Sequence, residues 1–327
     1  MQRRDFIMLF GGAAAAWPLA ARAQGSAKRP IVAMLAGQSA LASAKLVAAF
    51  AQRMQELGYS ASRNVDIVYR YMDGDLTRVP ALVKELIGLQ PDVMVITNTE
   101  ATIAMRQATA AIPIISAAVT DPVAFGLVAS HARPGGNVTG ILATLDSLPE
   151  KQLALAVEVI HDARKMGLLI QTGFRAHAVQ RQGAEAAAAA LAITVVPVEA
   201  RLPGDVDAAF QSFVRERVDG VLVLQAPLFL TERQRIAALA TAAKLPTMFG
   251  FREHAEAGGL MSYGVDLRAN WQRAAEFVDK ILKGTNPGDL PVELPTKFEL
   301  VVNLKTAKTI ELKIPESFLL RADDVIE

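Results

Sequence analysis

The residues able to do chemistry are sparse and poorly spaced for catalysis. There are four histidines, His131, His161, His177 and His254. None makes an H-x-x-x-H or H-E-x-x-H pair that would set two imidazoles on one helix face around a metal. There is no cysteine, which removes thiol nucleophiles, Cys-ligated zinc, iron–sulfur clusters and a disulfide scaffold. No G-x-S-x-G elbow is present, and no Walker loop. Gly135-Gly136-Asn137-Val138-Thr139-Gly140 lacks the G-x-G-x-x-G spacing and precedes a strand-like segment instead of opening a helix, so it reads as a Pro-Gly-Gly turn. No cofactor is implied. The carboxylates are scattered, and an acid–base pair among them could form only through the fold.

Binding asks for less: a few fixed polar groups, free backbone donors and an apolar wall. Such groups stand where apolar runs end. Gln38 and Ser39 follow the run Ile31–Leu35, and Thr97, Asn98, Thr99 and Glu100 stand at the end of the run Asp92–Thr97. Ser39 and Thr99 can cap helices, or offer a hydroxyl and spare amides to a ligand. Asp121 precedes Pro122, a helix-opening device, and its charge could equally hold a ligand ammonium. Glu100 could serve that role too, or favour a helix dipole. Further on stand Gln171, Thr172 and Phe174, then Gln225, then Phe251. The two phenylalanines could stack on an aromatic ligand or pack in a core. Tyr263 could close over a site through its hydroxyl.

The elements that must position these residues alternate. Apolar runs at 31–35, 65–69, 92–97 and 113–116 read as strands. Between them lie helical patterns at 44–57, ended by Gly58 as a C-cap, at 77–89 and at 101–111. A similar order recurs: strands at 166–171, 194–198, 219–224 and 246–249, with helices at 181–191, 205–217 and 231–243. Gly74-Asp75 answers Gly204-Asp205, and Ile112-Pro113-Ile114 answers Leu245-Pro246-Thr247. The shared order fits a diverged repeat or ordinary α/β punctuation. Either way it predicts an α/β protein with two Rossmann-like lobes, parallel sheets and a cleft between them, with ligands outside the carboxyl ends of the strands.

A helix is predicted over 266–282, with Leu267, Trp271, Ala274, Ala275, Val278 and Leu282 on one face and Trp271 in the core. Val292, Leu294, Phe298, Leu300 and Val302 alternate like one half-buried strand. Late elements of this kind can return to the first lobe and cross again. The expected division is 29–142 plus 265–291 for the N-terminal lobe and 143–264 plus 292–327 for the C-terminal lobe. They would be joined by a multi-strand hinge near 140–144, 263–265 and 291–294.

The chain has 327 residues, 34 basic against 33 acidic, and 6% aromatic. That balance argues against a nucleic-acid partner. Residues 1–23 read as an export signal. Arg3 and Arg4 precede an apolar run from Phe6 to Ala16, and Ala21-Arg22-Ala23 has the A-x-A pattern. The run is shorter than the roughly 20 residues a membrane span requires. Arg3-Arg4-Asp5-Phe6 resembles a twin-arginine signal. Cleavage would leave 31 basic and 32 acidic residues in a mature protein expected in the periplasm, as a monomer without stable membrane insertion.

Three stretches carry a family resemblance. One is the leader, with Gly11-Gly12-Ala13 and Trp17-Pro18-Leu19-Ala20-Ala21-Arg22-Ala23-Gln24. The second is Thr120-Asp121-Pro122-Val123 with Gly126-Leu127-Val128-Ala129-Ser130 and Arg133-Pro134-Gly135-Gly136-Asn137-Val138-Thr139-Gly140. The third is the tail, Asn303-Leu304-Lys305-Thr306-Ala307-Lys308, Ile314-Pro315-Glu316-Ser317 and Arg321-Ala322-Asp323-Asp324-Val325-Ile326-Glu327. Together they resemble the ABC-transporter substrate-binding proteins with a type I periplasmic-binding fold. The resemblance implies capture of a small carboxylate-bearing molecule, such as an aromatic or branched amino acid, and delivery to an ABC permease with separate ATPase subunits. A sensory protein presenting its ligand to a membrane receptor, or an exported enzyme, is the alternative. Relatives often carry a small residue or proline at the position of Glu100, and an Asn-Pro string where this chain has Gln171-Thr172-Gly173-Phe174.

Overall fold

The computed structural model describes residues 29–145, 147–295 and 297–327; the export signal expected at 1–23 lies outside them. Along the chain come β1 (Ile31–Ala36), α1 (Ala40–Glu56), β2 (Asp66–Tyr71), α2 (Val79–Gly88), β3 (Val93–Ile96), α3 (Thr99–Ala108), β4 (Ile114–Val119) and β5 (Val138–Leu142). Then follow α4 (Leu148–Val159), β6 (Lys165–Gln171), α5 (Ala176–Ala190), β7 (Thr194–Ala200), α6 (Asp205–Glu216), β8 (Gly220–Val223), α7 (Pro227–Thr231), α8 (Arg233–Ala242), β9 (Thr247–Phe249), α9 (Arg252–Glu256) and β10 (Met261–Val265). The chain ends with α10 (Leu267–Leu282), β11 (Phe298–Asn303), α11 (Leu304–Thr309), α12 (Glu316–Leu319) and β12 (Asp324–Ile326).

Two sheets result, one per lobe. The first has five parallel strands in the order β2-β1-β3-β4-β5. The second has seven, β12-β11-β10-β9-β8-β6-β7. Within it β7-β6-β8-β9-β10 repeats the first sheet's order, so the recurrent sequence pattern corresponds to a repeated topology. One pair departs from a wholly parallel arrangement: β11 runs antiparallel to β10. In each lobe the winding reverses beside the first strand, between β1 and β3 and between β6 and β8. Helices on opposite faces leave the carboxyl ends of those strands uncovered there, which makes them ligand sites in open α/β sheets.

Each sheet is buried on both faces. Leu46, Phe50 and Met54 of α1 and Trp271, Ala274, Phe277 and Val278 of α10 cover one face of the first sheet; α2 and α3 cover the other. Trp271 is 1% exposed and is core. A full stop ends α1: Gly58 has φ 93°, and the Tyr59 amide reaches back to the Met54 carbonyl at 2.9 Å, the Schellman pattern. In the second lobe α4 and α5 pack on one face, α6 and α8 on the other.

The segment read as one alternating strand belongs to two places. The Glu293 amide bonds the Gly140 carbonyl and the Glu293 carbonyl takes the Leu142 amide, both at 2.9 Å, so residues 292–293 edge the first sheet beside β5. Leu294 is 52% exposed. The strand proper starts at Phe298 in the second sheet, where Val301 and Val302, on opposite faces, are both buried because both faces are covered. The chain thus passes between sheets after β5, between β10 and α10, and before β11. Among the described residues, no helix is long and apolar enough to cross a membrane.

Candidate functional site

The carboxyl ends of the two sheets face each other and touch. Thr97 fixes the first end: its hydroxyl accepts the Gly37 amide at 2.9 Å, tying the end of β1 to that of β3. Gly74 follows β2 and gives its amide to the Gly37 carbonyl at 2.9 Å. Asn98 caps α3, its Oδ1 accepting the Ala101 amide at 2.9 Å. The cap expected at Thr99 is therefore one residue earlier. Thr99 is the first helical residue, and its hydroxyl accepts the Thr120 amide at 3.0 Å, joining β3 to the end of β4. Sequence could not show that long-range bond. Ser39 caps α1 as anticipated, accepting the Ala42 amide at 3.2 Å. Gln38 is buried, 3.5 Å from the Ser43 hydroxyl.

Asp121 does act as a cap: its Oδ1 accepts the Ala124 amide at 3.0 Å. It heads a series of turns instead of a helix, and its backbone is left-handed at φ 38°. A non-glycine residue held there is unusual and marks a locally over-determined segment.

From the other lobe, Gln171 reaches across. Its Nε2 donates to the Gly74 carbonyl at 2.8 Å, and its Oε1 accepts the Leu228 amide at 3.3 Å. Behind it, His177 Nδ1 accepts the Gln171 amide at 2.9 Å while Nε2 lies 3.1 Å from the Gln225 carbonyl. Burial pushes the imidazole down to about 4, so it stands neutral as a fixed strut. Gln225 donates through Nε2 to the Gly250 carbonyl at 3.0 Å, and its buried Oε1 has no partner among the described residues.

A short helix that sequence reading missed completes the junction. The chain was expected to turn helical only at Thr231, but α7 begins at Pro227. Proline at the first helical position was the available signal. Thr231 ends it by donating to the Pro227 carbonyl at 2.9 Å, and the same hydroxyl accepts the Ser39 amide from the first lobe at 3.2 Å. Pro227 and Leu228 sit so close to Gly37 and Gly74 that a Cβ on either glycine would lie 2.9 or 2.7 Å from them. Glu100 is engaged likewise. Its Oε1 accepts the Arg175 amide at 2.8 Å, and its Oε2 is 3.5 Å from Arg175 Nε. Burial raises its carboxyl above the usual range, partly countered by Arg175.

The other expected residues lie apart from this junction. Phe251 is buried in a core cluster with Leu230, Val265 and Trp271. Phe174 packs edge-on against His177, ring centroids 4.9 Å apart. Thr172 bonds Glu199 at 3.0 Å. Gln171, Thr172 and Phe174 border an open cavity of about 470 Å³ with His177 and Arg181. Tyr263 lies at the hinge, its ring stacked on Phe298 at 5.8 Å.

This geometry makes a two-lobed clamp. Residues 31–326 match the ABC transporter substrate binding protein family. A tyrosine-binding protein of Clostridioides difficile (strain R20291) is 27% identical over 265 residues, 81% of this chain and 76% of the relative. The ABC domain from Streptococcus pneumonia in complex with L-Trp is 24% identical, with a TM-score of 0.83 over 91% of this chain and 100% of that one. The ligand-free, open structure of a substrate-binding protein with adhesive properties from Clostridium difficile is 23% identical, with a TM-score of 0.63 over 91% and 99%. The chain belongs to the ABC transporter substrate-binding protein family.

Proposed function

We propose that this chain is the exported receptor of an ABC importer. It takes a small carboxylate-bearing molecule, an amino acid or an aromatic or branched acid, between its lobes and delivers it chemically unchanged to a permease driven by separate ATPase subunits. In this reading the lobes are 29–142 with 265–291 and 143–264 with 292–327, with residues 292–293 still paired to the first sheet and Val265 to the second at the crossings; the signal at 1–23 is removed on export to the periplasm, and the mature protein is a monomer that catalyses nothing.

The observation that carries the reading is the junction itself. Residues at the carboxyl ends of both sheets bond across the gap through Gln171 to Gly74, Arg175 to Glu100 and Ser39 to Thr231. This is a closed arrangement. In support, the fold superposes better on the L-Trp complex than on the ligand-free open structure, 0.83 against 0.63, at equal coverage of this chain. A ligand that touches both lobes favours closure by its differential affinity for the closed form. A tyrosine-binding relative and a neighbour in complex with L-Trp support this ligand class.

The test is a thermal-shift screen of the mature protein against aromatic and branched amino acids, repeated on Asp121→Asn. Asparagine keeps the cap and tolerates left-handed backbone, so only the charge is lost. The expected result is a ligand-induced rise in Tm that shrinks in the variant while ligand-free Tm holds. A rise of equal size in both proteins would reduce Asp121 to a cap, and no rise with any of them would remove the ligand class.

A further inference from the structure

We propose that the hinge carries a second small-molecule site, for a planar aromatic monocarboxylate, in the pocket between the start of α4 and strands β10 and β11. The pocket holds about 480 Å³ and is lined by Leu145, Ser147, Leu148, Glu150, Lys151, Tyr263 and Phe298. That volume falls in the range of small-molecule sites. Apart from Tyr263, none of the residues that sequence reading assigned to the interlobe site touches it. The proposal therefore stands independently of what binds between the lobes.

The floor is aromatic. Tyr263 and Phe298 sit on neighbouring antiparallel strands, where Val265 faces Phe298 and Tyr263 faces Leu300, so both rings project on one side of the sheet. Their planes differ by only 22° at a centroid separation of 5.8 Å, so the pair forms a stacked aromatic block that borders the pocket. Both side chains are only partly buried. Aromatic rings gain from an offset or edge-on partner, and here the open side offers one to a planar ligand. Leu145 and Leu148 add an aliphatic wall.

The rim is polar, and its one basic group, Lys151, can meet a ligand carboxylate. It is the first turn of α4, a helix of 12 residues, whose amino end carries partial positive charge. Ser147, at the N-cap, makes no side-chain capping bond, so its hydroxyl can turn to a ligand. Lys151 is exposed, and no ion pair to it is found among the described residues. Glu150, exposed on the same turn, would repel a second anionic group. Phe298 and Leu145 flank two of the passages between lobes and Tyr263 a third, so lobe angle shapes the pocket.

The probe is 1-naphthoate, titrated into ¹⁵N-labelled mature protein and followed by amide chemical shifts. Saturable shifts are expected at Ser147–Lys151, Tyr263–Val265 and Phe298–Leu300. Lys151→Glu should weaken the affinity roughly fivefold or more, the cost of replacing one charge attraction by a repulsion, while leaving Tm unchanged. Phe298→Leu should weaken it through the lost ring. Absence of saturable binding overturns the proposal. So do shifts confined to residues 37–39, 97–100 and 171–174 with affinity undiminished in both variants. Neither negative result touches the interlobe reading, which is tested by amino acids and Asp121→Asn.

Discussion

Glu253 on α9 is a half-buried acid with an unspent acceptor: its buried Oε2 has no partner among the described residues. Burial pushes its carboxyl up to about 7; a bond to its own backbone opposes this, and Glu256, Asp266 and Glu299 add repulsion. Burial pushes His177 down to about 4 and His254 down to about 3. The signs oppose. Between pH 4.5 and 6.5 the folded state holds one proton on Glu253 that the unfolded state lacks, and the unfolded state holds two on the histidines. From these groups alone, stability falls by on the order of 1 kcal/mol per pH unit on acidification, and about twice as steeply in Glu253→Gln. Urea unfolding at several pH values across this range should therefore show a steeper acid loss for the variant; parallel curves would contradict the assignment.

Glu100 gives a second residue-level expectation. Its carboxylate takes both the amide and the guanidinium of Arg175, so Arg175→Ala removes only the weaker, exposed half. Glu100→Ala should weaken ligand binding by roughly 10- to 150-fold, the worth of a charge-assisted bond, and Arg175→Ala by less than about fivefold. Calorimetry decides between them, and equal effects would contradict the backbone bond's primacy. At this scale Ser39 and Asp121 were legible as caps because capping is local. The displacement of the α3 cap to Asn98 was not, since Thr99 is claimed by an amide 21 residues away.

Among the elements, α7 governs how closely the lobes approach. Its Leu228 backbone lies 2.7 Å from where a Cβ on Gly74 would be, and Gly74 has φ 77°. Gly74→Ala should hold the lobes apart, reducing affinity about tenfold or more, and cost about 1–2 kcal/mol of stability through backbone strain. A binding isotherm with whichever amino acid raises Tm, and an unfolding curve, measure the two; unchanged affinity would show that the contact is not needed for closure. Of the helices with a continuous apolar stripe, α10 was legible nearly to its ends, and α1 lacked only its first turn. Five-residue α7 was not, for it has too few turns for a periodic signal. The strand read across 292–302 failed for a different reason. Its alternation joined two short pieces that pair with different sheets, and pairing partners leave no trace in local periodicity.

At the scale of the molecule, two sheets wound in the same order meet end to end, with three chain passages between them. Alternating strands and helices made this architecture legible. The closed approach was not, because it depends on groups such as Gln171 and Gly74 that are 97 residues apart. Native mass spectrometry of the mature protein, incubated with a mixture of amino acids and then denatured, tests the whole account most directly. One adduct per chain is expected, and on unfolding it should leave with the mass of the compound supplied. A protein that retains nothing, or one that gives back a compound of altered mass, would contradict it.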